Sequence, residues 1–167
     1  MNDETASTAI PLKPQDLARW DVLWSTFGGV GFLKPAPGTW GSLAACVVWW
    51  FLLGPLSLTI QLGSIVVYGI LSWWAADRIC RRHGIKDASQ IVSDEVLGMW
   101  LALLLLPDIW WLVVLAFLLF RLLDIAKPGP IGWLDKRLPG GAGVMADDVL
   151  AGLLAGGVLY ITYFALI

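Results

Sequence analysis

Five long apolar stretches, separated by short polar segments, constrain this 167-residue chain more than any other feature. They run from about Trp40 to Leu53, Leu56 to Ala76, Val96 to Leu106, Ile109 to Ile125 and Val149 to Ile167. A helix rises about 1.5 Å per residue, so crossing a hydrocarbon core about 30 Å thick takes about 20 residues. The second, fourth and fifth stretches approach that length. The first reaches it only by borrowing Gly38 and Thr39, and the third only by borrowing Ser93, Asp94 and Glu95; a re-entrant hairpin is the alternative for either. With 58% hydrophobic and 14% charged residues, the chain is far more apolar than a soluble domain of this length. The expected fold is all-α, an integral membrane protein of about five transmembrane helices with short interfacial helices on the cytoplasmic side.

The placement of charge sets the expected topology. The turns at Gly54–Pro55 and Pro107–Asp108 carry no Lys or Arg. The basic residues fall in three other segments: Lys13, Arg19 and Lys34; Arg78, Arg81, Arg82 and Lys86; and Arg121, Lys127, Lys136 and Arg137. Five spans put those segments on one side, which the positive-inside rule makes cytoplasmic. The net charge of −2 and the lack of a basic patch argue against a nucleic-acid partner. Residues 1–25 read as a polar segment with an amphipathic part around Leu17, Trp20, Val22, Leu23 and Trp24, lying on the membrane surface, with residues 1–15 equally readable as a disordered tail. Residues 26–167 read as a single membrane-embedded domain. Trp49, Trp50, Trp73, Trp74, Trp110 and Trp111 are expected at helix ends in the headgroup zone. Cys46 and Cys80 are not expected to pair, and His83, beside Gly84, reads as a structural or surface residue at a helix end.

Acids stand at the margins of the apolar stretches: Asp94 with Glu95, Asp124, and Asp147 with Asp148. Carboxylates beside hydrocarbon are costly unless paired, hydrated or bound to a cation, so three clusters in one small membrane protein point to a shared polyanionic site suited to a divalent metal. Each cluster also has a plainer reading. Asp94 and Glu95 can simply complement a helix N-terminus. Arg121 and Asp124, three apart on one helix face, can neutralise each other, or else Asp124 can hold a metal while Arg121 and Lys127 hold phosphate. The glycine loop at Pro139–Gly143 leads to Asp147 and Asp148 either as a lid over a metal site or as an ordinary loop before a helix with acids in its first turn. Lys34 to Leu43, K-P-A-P-G-T-W-G-S-L, combines a cation, glycines that admit an anion, and Thr39 or Ser42 at a helix start; a rigid interfacial turn is the alternative.

Five segments in order, P-A-P-G-T-W-G-S-L-A-A (Pro35–Ala45), I-V-S-D-E-V-L-G-M-W (Ile91–Trp100), F-R-L-L-D-I-A-K-P-G-P-I (Phe120–Ile131), W-L-D-K-R (Trp133–Arg137) and G-G-A-G-V-M-A-D-D-V-L-A-G (Gly140–Gly152), resemble the phosphatidylglycerophosphatase A family. The resemblance implies a Mg²⁺-dependent phosphomonoesterase of the bacterial cytoplasmic (inner) membrane, multi-pass, converting phosphatidylglycerophosphate to phosphatidylglycerol at the cytoplasmic face. It places the family's acids on Asp94, Glu95, Asp124, Asp147 and Asp148 and its basic residues on Arg121 and Lys127. Ser93 stands where an aromatic residue is common, and Pro139 where a histidine is common.

The candidate roles are then catalytic for Asp94, Asp124 and Asp148, metal-binding for all five acids, and phosphate-binding for Lys34, Thr39, Arg121 and Lys127. A dianionic phosphate approaches carboxylates only with a cation between them, so the residue chemistry and the implied Mg²⁺ agree. Direct water attack and a phospho-aspartate intermediate both remain open. The alternative from another class is a small transporter or ion-pathway subunit, which requires acids spread through the membrane depth. The expected partners are the lipid substrate and the surrounding membrane lipids; the oligomeric state is left open.

Overall fold

The computed structural model describes residues 12–84, 88–137 and 140–166, so most of the expected tail, Lys86 and Pro139 lie outside the described residues. Among the described residues there is no strand. Short 3₁₀ turns at Pro14–Ala18 and Val30–Phe32 flank α1 (Trp20–Ser25). Then follow α2 (Pro37–Val48, continued by a π turn at Trp49–Leu53), α3 (Leu58–His83), α4 (Ser93–Leu103), α5 (Trp110–Ala126), α6 (Pro130–Arg137) and α7 (Gly140–Leu166).

Local chemistry sets these boundaries. Pro37 opens α2, where its missing N–H leaves no bond unmade. Gly84 closes α3 in the left-handed conformation, with φ 64°. Asp94 and Glu95 occupy the first turn of α4, where negative charge complements the helix dipole. Lys127 closes α5, and Pro128 behind it cannot continue the helix.

Two helices, α3 with 26 residues and α7 with 27, are long and apolar enough to cross a membrane. The expectation of five transmembrane helices is not supported. Helix α2 with its π turn and α5 have 17 residues each, and α4 has 11, all short of the roughly 20 that a crossing takes. Helix α4 also differs in kind: Val96, Met99 and Ala102 are fully buried, and the helix forms the axis of the core rather than a lipid-facing span. An apolar run reads the same whether lipid or protein surrounds it. Large apolar side chains remain exposed on α3 (Val66, Val67, Ile70), α5 (Leu118, Leu122) and α7 (Val158, Ile161), a surface suited to a lipid environment.

Helix α7 packs against α4 more extensively than any other pair of elements, and glycines make the approach possible. A Cβ on Gly152 would fall 2.1 Å from the Gly98 carbonyl oxygen, and one on Gly156 would fall 2.8 Å from that of Ala102. The small residues therefore serve packing within the chain.

Two finer expectations change. Trp49, expected at the interface, is 2% exposed and belongs to the core. Gly140–Gly143, expected as a flexible loop, form the first turn of α7, because a Cβ-free Gly141 fits against the backbone of Trp73 and Asp77 in α3. Helix α1 packs on α3, where Trp24 Nε1 donates to Ser72 Oγ at 3.0 Å. Cys46 and Cys80 are not joined in a disulfide.

Candidate active site

The starts of α2 and α4, the end of α5 and the first turns of α7 meet around one cavity of about 250 Å³; Asp147 and Asp148 lie beyond the first turn of α7, because the helix already begins at Gly140. Ala36, Pro37 and Gly38 line it from the start of α2, and Ser89 and Ile91 from the segment before α4. The first turn of α4 adds Asp94 and Glu95, the end of α5 adds Arg121, Asp124 and Lys127, and α7 adds Gly143, Val144, Asp147 and Asp148. All five candidate acids and two of the candidate phosphate-binding residues thus share one site. Lys34 is exposed in the segment before α2 and Thr39 lies in the first turn of that helix; neither is among the wall residues.

Within the cavity the charges sort into two groups. Carboxylate oxygens of Asp94, Glu95 and Asp148 all lie within 4.8 Å of one another. The other two acids engage cations: Lys127 Nζ donates to Asp147 Oδ2 at 2.6 Å, and Arg121 Nη1 donates to Asp124 Oδ2 at 2.5 Å. Arg121 Nη1 also stands 3.7 Å from Glu95 Oε1, which ties the groups together. Successive residues on a helix project about 100° apart, so α7 sends Asp147 toward the end of α5 and Asp148 toward the start of α4.

Five carboxylates face two basic side chains here, and the acids are largely removed from water: Asp94 is 8% exposed, Asp147 4% and Asp148 3%. Like charges this close and this buried are strongly disfavoured without a cation. Glu95 Oε2 is buried without a hydrogen-bond donor. An all-oxygen donor set of this kind suits a hard divalent ion, so Asp94, Glu95 and Asp148 can hold a metal.

The start of α2 supplies a different contact. Its N-cap, Ala36, has no side-chain oxygen to satisfy the first turn, so the N–H of Gly38, a wall residue, lacks an intrahelical partner. Gly38 has a second role that its sequence neighbourhood does not reveal: a Cβ there would lie 2.0 Å from Glu95 Oε1 and 3.0 Å from Arg121 Nη1. Ser89 and Ile91 were also not singled out from the sequence; lying in an irregular segment, they carry no periodic signal.

The family model for Phosphatidylglycerophosphatase A matches residues 23–163. A Phosphatidylglycerophosphatase A of Escherichia coli (strain K12) is 40% identical over 144 residues, covering 84% of this chain and 81% of the relative. One of Haemophilus influenzae is 38% identical over 146 residues, covering 87% and 90%. A Bacteroides thetaiotaomicron protein provisionally named a phosphatidylinositol-3-phosphatase is 41% identical over 139 residues, covering 79% and 86%. No solved structure matches the chain. Because the matched stretch contains every wall of the acid-lined cavity and the relatives align along most of both chains, this phosphatase belongs to the phosphatidylglycerophosphatase A family.

Proposed function

We propose that the chain hydrolyses phosphatidylglycerophosphate to phosphatidylglycerol and phosphate, with Mg²⁺, at the cytoplasmic face of the bacterial inner membrane. The observation that carries this reading is the grouping of Asp94, Glu95 and Asp148 beside the Arg121 and Lys127 cations in one cavity. That pairing of an ion-holding half with an anion-holding half is what a dianionic phosphomonoester requires.

Asp94, Glu95 and Asp148 would hold Mg²⁺. When bound, the ion offsets phosphate charge, polarises the phosphoryl group and lowers the pKa of water. Arg121 and Lys127, with the free N–H of Gly38 at the start of α2, receive the phosphate oxygens. Asp124 and Asp147 act by holding those two cations in place, so that a flexible ammonium and guanidinium are already oriented when substrate arrives. The covalent change is cleavage of the bond between phosphorus and the glyceryl oxygen. Water supplies the new P–O bond, and the departing oxygen takes up a proton.

The cytoplasmic orientation is supported by the basic residues clustered around this end of the helices and by the turns at Gly54–Pro55 and Pro107–Asp108, which lack them. The relatives' names include two lipid phosphates, and both offer the cavity the same phosphomonoester chemistry. The test is phosphate release by the purified chain in detergent, with and without Mg²⁺, from phosphatidylglycerophosphate and from phosphatidylinositol 3-phosphate, beside Asp148→Asn. Metal-dependent release from the first substrate, lost in the variant, is expected. Faster release from the second would reassign the substrate, and no release with any metal would overturn the proposal.

A further inference from the structure

On the α1–α3 face, outside the catalytic cavity, three arginines converge on one carboxylate. Asp21, 1% exposed, receives Arg19 Nη2 at 2.8 Å, Arg82 Nη1 at 3.4 Å and Arg78 Nε at 3.5 Å, all at the same oxygen, Oδ2. Arg19 also reaches His83, whose Nε2 is 3.4 Å from Arg19 Nη1. The neighbouring Arg81 pairs with Asp77 at 2.8 Å and adds no surplus. Among the described residues one carboxylate faces these three guanidiniums, which leaves an excess of two positive charges in the cluster. The guanidiniums are not sealed away: the side chains of Arg19, Arg78 and Arg82 are 29%, 47% and 43% exposed.

An ion pair that merely fastened α1 to α3 would need one arginine. Gathering three like charges is unfavourable unless an anion completes the arrangement, and each guanidinium offers a fork of donors matched to phosphate oxygens. The surroundings narrow the anion to a lipid. Trp20, next to Arg19 in the chain, packs at a tilt against Trp74, with ring centroids 4.9 Å apart. It also opens an apolar groove of about 550 Å³ that continues past Leu23, Trp24 and Phe27 to Tyr68 and Trp100. The arginines do not line the groove but adjoin it: Arg19 precedes Trp20, and Arg78 lies one turn past Trp74 on α3, a helix long enough to cross the bilayer, so the order of charge and apolar surface matches a lipid with its headgroup at the interface.

We propose that Arg19, Arg78 and Arg82 form a binding site for the phosphodiester headgroup of an anionic diacyl phospholipid, with an acyl chain in the Trp20–Trp100 groove. This site is separate from the catalytic cavity and takes a lipid that is not being hydrolysed. The chain running from α1 through Val30–Phe32 becomes the Ala36–Gly38 wall of that cavity, so the bound lipid braces the segment that carries one side of the active site.

The test titrates the purified full chain in neutral detergent with phosphatidylglycerol, with phosphatidylcholine, and with soluble glycerol 3-phosphate, reading melting temperature and lipid retention by native mass spectrometry. The expected result is preferential retention of phosphatidylglycerol, with a melting shift at least about 3 °C larger than phosphatidylcholine gives. In Arg78→Gln/Arg82→Gln, which keeps the 2.8 Å Arg19–Asp21 pair, that preference falls by about tenfold or more. Asp94→Asn, in the catalytic cavity, keeps it. Should the double variant fail to fold, Arg82→Gln alone is expected to lose part of the preference. Equal effects of the two lipids, an undiminished preference in the arginine variants, loss of the preference in Asp94→Asn, or a full shift with glycerol 3-phosphate would each overturn the proposal.

Discussion

Gly38→Ala separates the fold from the chemistry more cleanly than removal of any charged residue. An alanine Cβ at this position would sit 2.0 Å from Glu95 Oε1 and 2.9 Å from its Cδ. Ordinary contact begins near 3.4 Å, so the carboxylate must retreat by about 1.4 Å. It can do so, because the atoms nearest the new methyl are the far ends of flexible side chains, those of Glu95 and Arg121. The protein therefore folds, while Glu95 leaves the group it forms with Asp94 and Asp148 and presses on Arg121. Misplacing a reacting group by about 1 Å costs on the order of 10²-fold in rate.

The assay is phosphate release from phosphatidylglycerophosphate across a Mg²⁺ titration, with the melting temperature taken in the same detergent. Gly38→Ala is expected to lower kcat/KM by about 100-fold and raise the Mg²⁺ concentration for half-maximal rate, with melting unchanged within about 3 °C. Gly63→Ala is the control. A Cβ there meets nothing within 4 Å, and replacing a helical glycine by alanine leaves activity unchanged with stability equal or slightly higher. Activity of Gly38→Ala within about threefold of the parent, at unchanged metal requirement, would refute the placement of Glu95 at the reacting centre.

Other residues give sharper single readouts. Asp148→Asn is expected to lose more than about 100-fold in metal-dependent rate, and chelation of the unaltered chain should abolish activity until Mg²⁺ is restored, both read by phosphate release. Lys127→Met removes a charge-assisted contact to phosphate worth about 2 kcal/mol, so kcat/KM should fall roughly 30-fold in steady-state kinetics. Gly152→Ala should destabilise the chain by about 3 kcal/mol, measured by thermal unfolding, because its Cβ meets the Gly98 carbonyl at 2.1 Å, a backbone group and not the end of a side chain that can swing away. Asp108→Asn, in an exposed turn between α4 and α5, should retain activity within about threefold of the parent.

The sequence displays the acids and cations of the site because each stands out against an apolar background: Asp94 and Glu95 before Val96, Asp124 after Phe120, Asp147 and Asp148 before Val149. Their division of labour is not legible there. Nothing in the spacing tells that Asp148 joins Asp94 and Glu95 while Asp147 turns to Lys127, since those partners come from three different helices. Lys34 and Thr39 fit a phosphate role by local pattern, yet the cavity wall takes Ala36, Pro37 and Gly38 from that stretch. The expected five spans find no support for a related reason. Hydropathy reports that a segment avoids water, and Val96–Leu103 avoids it inside the protein. Asp21 is hidden for the opposite reason, because a lone acid in a short amphipathic segment looks solvated until three arginines are found around it.

The depth at which charge is found decides between an enzyme and an ion pathway. A conducting path needs polar groups along the membrane normal, since each unsolvated stretch of hydrocarbon is a barrier to an ion. Beyond Asp148, α7 carries no Asp, Glu, Lys, Arg or His through Leu166, and α4 none after Glu95. Where those helices descend together, their contact is closed by Gly98, Gly152, Ala102 and Gly156 at backbone contact distance, which leaves no room for water or an ion between them. The same glycines that shut that route bring Asp148 beside Asp94 and Glu95, because a helix pair held a few ångströms farther apart would also separate its terminal carboxylates. Closure of the α4–α7 seam and assembly of the acidic group are thus one packing event, and it builds a site at a helix end rather than a path through the bundle.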